Sequence, residues 1–299
     1  MNRKNSILKA AGIFLVVGLA LYFVSIAAFA SEKRGVLGNA STEIVYEEAD
    51  YSAPAQAVNV IQIKGRNMPV TVTPSQGNEV VLHYYTCEED PYDVTLEGGV
   101  LKLEYRNKNL FFQGSWFFGW GMFNNQNPRI EVLVPAAYAG NLLLNTSNGT
   151  ISASNFPALG ELRADTSNAA VNLNNLTAEL VSVRTSNGAV TLEKVISSGR
   201  LTADTSNGSL TAKQTAAQEG LLLHTSNGRI SVDQVTSKEI ELRTSNASIS
   251  GGVGGRRNEY TISSHTSNAD NNLGSGGSGQ FRLTVNTSNG AINLRFLGE

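Results

Sequence analysis

Cysteine, proline, aromatic residues and charge are all scarce in this sequence, and each shortage excludes something. One cysteine, Cys87, stands among 299 residues, so an intramolecular disulfide is excluded and packing must stabilise the fold. The acidic residues after it, Glu88 to Asp90, disfavour a thiolate, so Cys87 is interpreted as a strand-end residue. The formal net charge is -2, without a basic stripe, and this argues against nucleic acid as a partner.

Motifs of enzyme and metal chemistry are also missing. The sequence has no phosphate-binding loop, zinc spacing, nucleophile elbow or calcium nonapeptide, so we predict neither a cofactor nor a metal. Glycine is abundant, with 29 residues, as are Ser, Thr and Asn, and hydrophobic residues make up 41%. This mixture predicts a folded all-β protein of short strands and tight turns.

One long apolar run lies near the N-terminus. Residues 10–30 carry no charge, and a helix of this length spans a hydrocarbon core of about 30 Å. Arg3, Lys4 and Lys9 lie in the preceding segment, residues 1–9, which the positive-inside rule keeps in the cytoplasm. We therefore predict a single-pass transmembrane anchor in the cell membrane, with the C-terminal domain extracytoplasmic.

The alternative to an anchor is a signal peptide. Ala28-Phe29-Ala30 is an acceptable cleavage site, which would release the chain after Ala30 as a secreted protein. Both interpretations place the remainder outside the cytoplasm. Residues 31–57 are polar and show no sustained period, so they are predicted to be a linker between membrane and fold.

An internal repeat dominates the rest of the chain. Thr-Ser-Asn occurs eight times, at spacings of 19 to 22 residues. We number these copies one to eight in chain order. Their threonines are Thr146, Thr166, Thr185, Thr205, Thr225, Thr244, Thr266 and Thr287.

Two apolar columns accompany the motif. The residue four positions before each Thr is aliphatic in all eight copies, and the residue five positions after it is aliphatic in all but copy seven, where Asn271 stands. Each column continues two residues later, as expected for a strand with one buried face. The Ser-Asn-Gly or Ser-Asn-Ala between them predicts a corner, because Asn and Gly tolerate left-handed backbone angles.

Such a unit cannot bury its own apolar face, so stacking of units is required. The repeat therefore predicts a single-chain parallel β-solenoid over residues 136–299, with coils of about 20 residues and two strands per coil. Phe296 and Leu297 are predicted to seal its last coil, and the segment from Gly274 to Gly279 is predicted to bulge out as a loop.

Stacking would align equivalent residues of the motif. The asparagines are predicted to form a structural ladder of side-chain amides. They are Asn148, Asn168, Asn187, Asn207, Asn227, Asn246, Asn268 and Asn289.

The residue before each Thr should point outward. That column contains acidic and basic residues together with His224 and His265, which are interpreted as surface residues rather than a metal pair.

Residues 58–135 alternate less regularly and are predicted to form an N-terminal β-sheet that caps the solenoid. Between its last strands lies an aromatic loop, residues 109–127, which is either a plug over the solenoid end or a contact for the membrane interface or a partner. Its aromatic residues are Phe111, Phe112, Trp116, Phe117, Phe118, Trp120 and Phe123.

With its anchor, sheet and Thr-Ser-Asn-Gly coils, residues 58–299 resemble the bacterial DUF4097 family of β-strand-repeat proteins, which are labelled candidate adhesins. The resemblance implies a cell-envelope β-solenoid without established catalytic residues to transfer.

Three functions follow in order of preference. The first is a binding or adhesion module for an envelope polysaccharide or protein, because repeated faces suit a repetitive ligand. The second is a non-catalytic regulatory or scaffold partner of membrane envelope-stress proteins. The third is a glycan-active enzyme, disfavoured because the outward carboxylates Asp165, Glu193, Asp204, Asp233 and Glu241 are scattered among coils.

Overall fold

The computed structural model describes residues 45–88, 90–106 and 127–299. These residues form 21 strands joined in one sheet, with two short 3-10 helices at Ala55–Ala57 and Arg257–Glu259. Within the described ranges, no helix has the length and apolar character needed to cross a membrane. The predicted anchor, residues 10–30, lies outside those ranges.

The strands up to the first Thr-Ser-Asn copy are β1 (Glu47–Pro54), β2 (Val60–Lys64), β3 (Val70–Ser75), β4 (Glu79–Thr86), β5 (Tyr92–Glu97), β6 (Val100–Tyr105), β7 (Ile130–Pro135) and β8 (Asn141–Asn145). The strands of the repeats are β9 (Ile151–Asp165), β10 (Val171–Arg184), β11 (Val190–Ser197), β12 (Arg200–Asp204), β13 (Leu210–Lys213), β14 (Ala216–Ala217), β15 (Gly220–His224), β16 (Ile230–Ser237), β17 (Glu239–Arg243), β18 (Ile249–Val253), β19 (Tyr260–His265), β20 (Phe281–Asn286) and β21 (Ile292–Phe296).

The repeats stack in parallel register, one coil on the next. For example, Val183 in β10 pairs with Ala203 in β12, and Ala203 pairs with Leu223 in β15. The two predicted apolar columns are buried in nearly every copy, which confirms the inward face of each strand. We call the side before the Thr the first face and the side after the motif the second face.

Five of the coils have a third side, which the prediction of two strands per coil did not include, and in one of them three separate strands form, β13, β14 and β15. A third buried column follows the second face, formed by Phe156, Leu176, Val195, Thr215 and Val235. The chain turns into it at residues with positive φ, namely Asn155, Asn175, Lys194, Gln214 and Gln234. The sequence concealed this corner because none of these residues is Gly and because β9, β10, β11 and β16 run through it without interruption.

The solenoid also extends into the region predicted as a cap. β2 and β3 pair in parallel with β8 and β9, so residues 60–75 form a coil without the Thr-Ser-Asn motif. On its other side, β6 and β7 pair in parallel with β2 and β3 and form a further coil. The stacking order at this end therefore differs from the order in the chain.

Antiparallel strands complete this end of the sheet. β5 pairs with β6, and β4 pairs with β7 on one edge and β1 on the other. Residues 47–54, predicted as part of the linker, are thus strand β1. Its sequence shows no strong alternation, because only Ala53 is fully buried while Glu47, Glu48 and Asp50 protect an edge from pairing with another chain.

The opposite end has an exchanged order as well. Copy eight, with β20 and β21, pairs directly with β17 and β18 of copy six. Strand β19 of copy seven then pairs with the far side of β20. Phe296 consequently packs inside the stack against Tyr260, with ring centroids 5.3 Å apart, and it does not seal the last coil as predicted.

The Gly-rich segment before copy eight folds over β19. Ile262 and Gly276 exchange two backbone hydrogen bonds, of 2.8 and 2.9 Å, and the Ser275 hydroxyl donates to the Ser264 carbonyl at 3.0 Å. Gly274–Gly279 is a loop as predicted, but it does not bulge out, since this segment covers the end strand of the solenoid.

Candidate functional site

The motif threonines are buried and join neighbouring coils. The Thr205 hydroxyl donates to the Gly188 carbonyl of the preceding coil at 3.1 Å and accepts from the Gly208 backbone N–H at 3.2 Å. Thr225 repeats both bonds one coil further on, at 3.1 and 3.1 Å. A buried hydroxyl with both partners present supports the corner as a structural element rather than a binding site.

The corner glycines serve close stacking, not a left-handed backbone. None of the five described corner glycines has positive φ, so that part of the prediction was wrong. A Cβ on Gly208 would overlap the carbonyl of Gly188 in the coil below, and the same holds at the other corner glycines. All five Gly copies keep the N–H to Thr hydroxyl bond, whereas the described corners with Ala169, Ala247 and Ala269 lack it. A Cβ therefore pushes the backbone away from the Thr.

The eight motif asparagines lie in one exposed column. Each side-chain amide donates to the next Asn oxygen at 2.6 or 2.7 Å. The order along the column is Asn67, Asn148, Asn168, Asn187, Asn207, Asn227, Asn246, Asn289 and Asn268. Asn67 was missed because its coil reads Gly-Arg-Asn-Met in place of the motif. These amides bond to one another, so the column is a structural ladder.

A second, shorter ladder stands at the corner with positive φ. Asn175 donates to Asn155 at 2.8 Å, and Gln214 donates to Gln234 at 3.1 Å. The signal was present in the sequence, as an amide side chain four residues after the second apolar column begins, but it is interrupted by Lys194.

The first face carries alternating charges along the stack. Arg163 pairs with Asp165 at 2.6 Å, Arg184 with Asp204 at 3.7 Å, and Arg243 with Glu241 at 2.5 Å. Further ion pairs at one edge join Glu239 to Arg200 and Arg282, at 3.8 and 3.2 Å. Exposed pairs of this kind contribute little to stability, each about 0–1 kcal/mol, so they chiefly set the charge pattern of the face.

His224 bridges two carboxylates within this pattern. Its Nδ1 lies 3.4 Å from Asp204 and its Nε2 lies 3.1 Å from Glu241. Hydrogen bonding to Asp204, and then the charge of Glu241, raise the pKa of His224 above its usual value, against partial burial and Arg243. His265 is not adjacent, since Arg243 and Asn286 stand between the two histidines.

The second face is different in character. From β3 to β21 its central outward column consists of hydroxyl and amide residues, all at least partly exposed, and beyond Thr71 the β7 coil continues it with Glu131. They are Thr71, Ser152, Asn172, Thr191, Thr211, Ser231, Ser250 and Asn293. Successive members are one strand spacing apart, about 4.8 Å.

The outward carboxylates do not converge. Asp165, Asp204 and Glu241 lie on the first face, whereas Glu193 and Asp233 lie on the second. Across the part of the chain that the structure describes, no group of three or more His, Cys, Asp or Glu side chains is placed to hold a metal ion.

The predicted aromatic contacts, from Phe111 to Phe123, lie outside the described residues. Their flanks are described, since β6 ends at Tyr105 and β7 begins at Ile130. Because these strands pair with β2 and β3, the described flanks lie at the corner that holds Thr-Ser-Asn in other coils.

A tyrosine cluster stands beside this corner. Tyr92 contacts Tyr84 and Tyr105 edge-on, with ring centroids 6.4 and 6.0 Å apart, and the Arg66 guanidinium lies 5.2 Å from the Tyr105 ring. Burial raises the pKa of the neighbouring Asp90 carboxyl, which is 6% exposed. Sequence reasoning missed this cluster because its tyrosines come from three separate strands.

The Toastrack DUF4097 family model matches residues 58–249, more than half of the chain. The chain belongs to this family. The predicted DUF4097 resemblance is thereby confirmed. The Toastrack match starts just before β2 and ends at the first residue of β18, so it includes the exchanged coils at the N-terminal end, whereas β19, β20 and β21 of copies seven and eight lie beyond it.

Solved structures with a similar arrangement include a candidate adhesin from Bacteroides fragilis, at 14% identity and a TM-score of 0.45, covering 83% of this chain and 97% of that one. A candidate adhesin from Parabacteroides distasonis is 10% identical, with a TM-score of 0.39 and coverage of 83% and 97%. A candidate cell-adhesion protein from Clostridium sporogenes is 9% identical, with a TM-score of 0.31 and coverage of 84% and 100%. No protein of curated function matches the chain in sequence.

Proposed function

We propose that this Toastrack chain is a non-catalytic binding module, anchored in the cell membrane by residues 10–30, that presents its solenoid to an envelope polymer. The observation that carries the proposal is the unbroken hydroxyl and amide column of the second face, from Thr71 to Asn293. A row of equivalent hydrogen-bonding groups at one strand spacing suits a ligand that is itself repetitive. Scattered carboxylates favour binding over hydrolysis.

Co-sedimentation with insoluble envelope polysaccharide tests the proposal. The full chain in detergent micelles is expected to sediment with purified cell-wall sacculi in a saturable way. Replacing Thr191, Thr211 and Ser231 by Glu places negative charges along the second face and is expected to weaken binding at least tenfold, because each carboxylate must be desolvated against a neutral polymer. The matched control replaces Thr202, Leu222 and Thr284, which point outward on the first face, by Glu and is expected to bind as the wild type does. Binding of the wild type to no envelope polymer would refute the proposal.

A second candidate function is a partner of membrane proteins or of the bilayer surface, through the aromatic segment. The positions of the described residues on either side of the aromatic segment favour this function. Ala49 in β1 and Ile130 in β7 both pair with Tyr84, from opposite sides. The first described strand, β1, and the start of β7 after the aromatic segment are thus two strand spacings apart, about 10 Å.

Tryptophan fluorescence tests this placement directly. Trp116 and Trp120 are the two tryptophans of the sequence, so emission reports on the aromatic segment alone. With the full chain reconstituted in vesicles, we expect brominated lipid to quench this emission by about half or more if the segment lies in the interface, where Trp prefers to reside. Single Trp116→Phe and Trp120→Phe variants assign the depth of each ring. Emission that is insensitive to brominated lipid, and quenched by iodide instead, would exclude membrane contact.

A further inference from the structure

The first face has a cleft of about 330 Å³ near its N-terminal end. It crosses three consecutive coils, because Gln62, Leu143 and Arg163 are neighbours in register, and so are Lys64, Asn145 and Asp165. Leu143 and Asn145, on the middle coil, are shorter than the Lys64 and Arg163 side chains on either side. The cleft is therefore a depression whose floor is the middle coil.

The floor and the walls differ in polarity. Leu143 is half-buried and gives the floor an apolar patch, while the amides of Gln62 and Asn145 border it. Asp165 accepts from Arg163 Nε through Oδ2 at 2.6 Å. Its other oxygen, Oδ1, is buried and has no hydrogen-bond partner within the described part of the chain. Because Oδ1 has no accessible surface, the Asp165 carboxylate can meet a ligand only through Oδ2, on a side chain that is 19% exposed.

Charge restricts the kind of ligand. Lys64, held by Glu104 at 3.0 Å, and Arg163 disfavour a metal cation beside Asp165. The Asp165 carboxylate disfavours an anion. A neutral molecule with hydroxyl donors and an apolar face fits both constraints, and this is the chemistry of an uncharged sugar ring.

We infer that this cleft is a subsite for one uncharged sugar unit of a glycan, with a sugar hydroxyl donating to Asp165 Oδ2 and the apolar ring face over Leu143. The inference rests on the proposed function, to which it adds a ligand class and a second contact site, on the first face. Elsewhere on the first face the same columns hold charged residues paired with each other, such as Arg184 with Asp204 and His224 with Glu241.

Saturation-transfer NMR on the full chain in detergent micelles tests the inference, with cellotetraose and chitotetraose as neutral probes and tetragalacturonate as the acidic one. We expect binding of at least one neutral probe and at least tenfold weaker binding of the acidic one. Asp165→Asn removes the carboxylate and Asn145→Arg fills the cleft from an exposed position, and each is expected to weaken neutral-probe binding at least tenfold. Asp204→Asn and Asn286→Arg, in the same column but outside the cleft, are matched controls expected to bind as the wild type does. Thermal melting of each variant separates lost binding from lost folding.

Two results would overturn the subsite. One is a wild type that binds neither neutral probe, and the other is folded Asp165→Asn and Asn145→Arg variants that bind as tightly as the wild type. Co-sedimentation with sacculi keeps these outcomes apart from the proposed function. A wild type that sediments with sacculi but fails either test of the cleft retains the binding function and loses only this subsite.

Discussion

A chain that ends at Gln280 is expected to lose two coils of the solenoid, not one. The deleted strands, β20 and β21, lie between copy six and β19, so β19 has no other parallel neighbour. The deletion removes buried Leu283, Val285, Ile292, Leu294 and Phe296. At about 1.5–3 kcal/mol for each large apolar side chain, the gross loss is on the order of 10 kcal/mol.

Hydrogen exchange detected by mass spectrometry measures this loss. We expect amides of Tyr260–His265 to exchange at the rate of an unfolded chain, while β15 and β16 keep their protection because repeat proteins lose structure locally. A chain that ends at Phe296 is the control and should keep both coils. Retained protection of Tyr260–His265 after the longer deletion would show that copy seven stacks on copy six, contrary to the structure.

The second large effect is expected at the corner threonines. Thr205→Val keeps the shape of the side chain but removes the donor to the Gly188 carbonyl and the acceptor for the Gly208 N–H. The Gly208 N–H is then buried without a partner, which costs about 1–3 kcal/mol. The loss should be local, and greatest at the two coils that the hydroxyl joins.

Native-state hydrogen exchange again gives the local free energy of opening, here at Gly208 and in β12. Thr202→Val is the matched control, because Thr202 lies in β12, three residues before Thr205, and points outward. Its effect should stay within about 0.5 kcal/mol, as for most surface substitutions. Equal effects of the two variants would mean that the buried hydroxyl contributes nothing beyond its volume.

The parts of the fold predicted from sequence are those with an uninterrupted period. The two apolar columns and the Thr-Ser-Asn corner recur in register because each residue contacts its equivalent in the next coil. The third side of the coil has no such regular period in the sequence. Its buried column includes Thr215, and its corner is built from Asn, Lys and Gln in left-handed conformation, so no single residue type marks it.

The order of coils at the two ends could not be read from the repeat. Because equivalent coils have equivalent strand edges, the repeat pattern alone is compatible with any stacking order of the coils. The segments that connect the coils determine which order forms. Spacings of 19 or 20 residues let a copy reach only its neighbour, whereas the spacings of 22 and 21 around copy seven accompany the exchange. At the other end, β2 and β3 were recognised as strands, but Arg66 and Asn67 gave no sign of a corner.

The candidate site, too, could be predicted only in part from the sequence. The first-face charges could be assigned to one outward column from the repeat, because that column precedes every Thr. The cleft could not, because it depends on Gln62 and Lys64, which come from a coil without the motif and stack beside Leu143 and Asn145.

The exchanged stacking order at the two ends of the solenoid determines where coils can be added. At the N-terminal end, β2 pairs on its two edges with β6 and β8, which both follow it in the chain. At the C-terminal end, β20 pairs with β17 and β19, which both precede it. A copy added at either end would therefore separate strands that now pair. Between Thr166 and Thr244 the copies stack in chain order, and a duplicated 20-residue unit would find the same edges above and below it. Each duplication would lengthen the rod by about 4.8 Å and leave both ends unchanged. The number of coils in the middle of this solenoid can therefore vary, while the structure of its two ends stays the same.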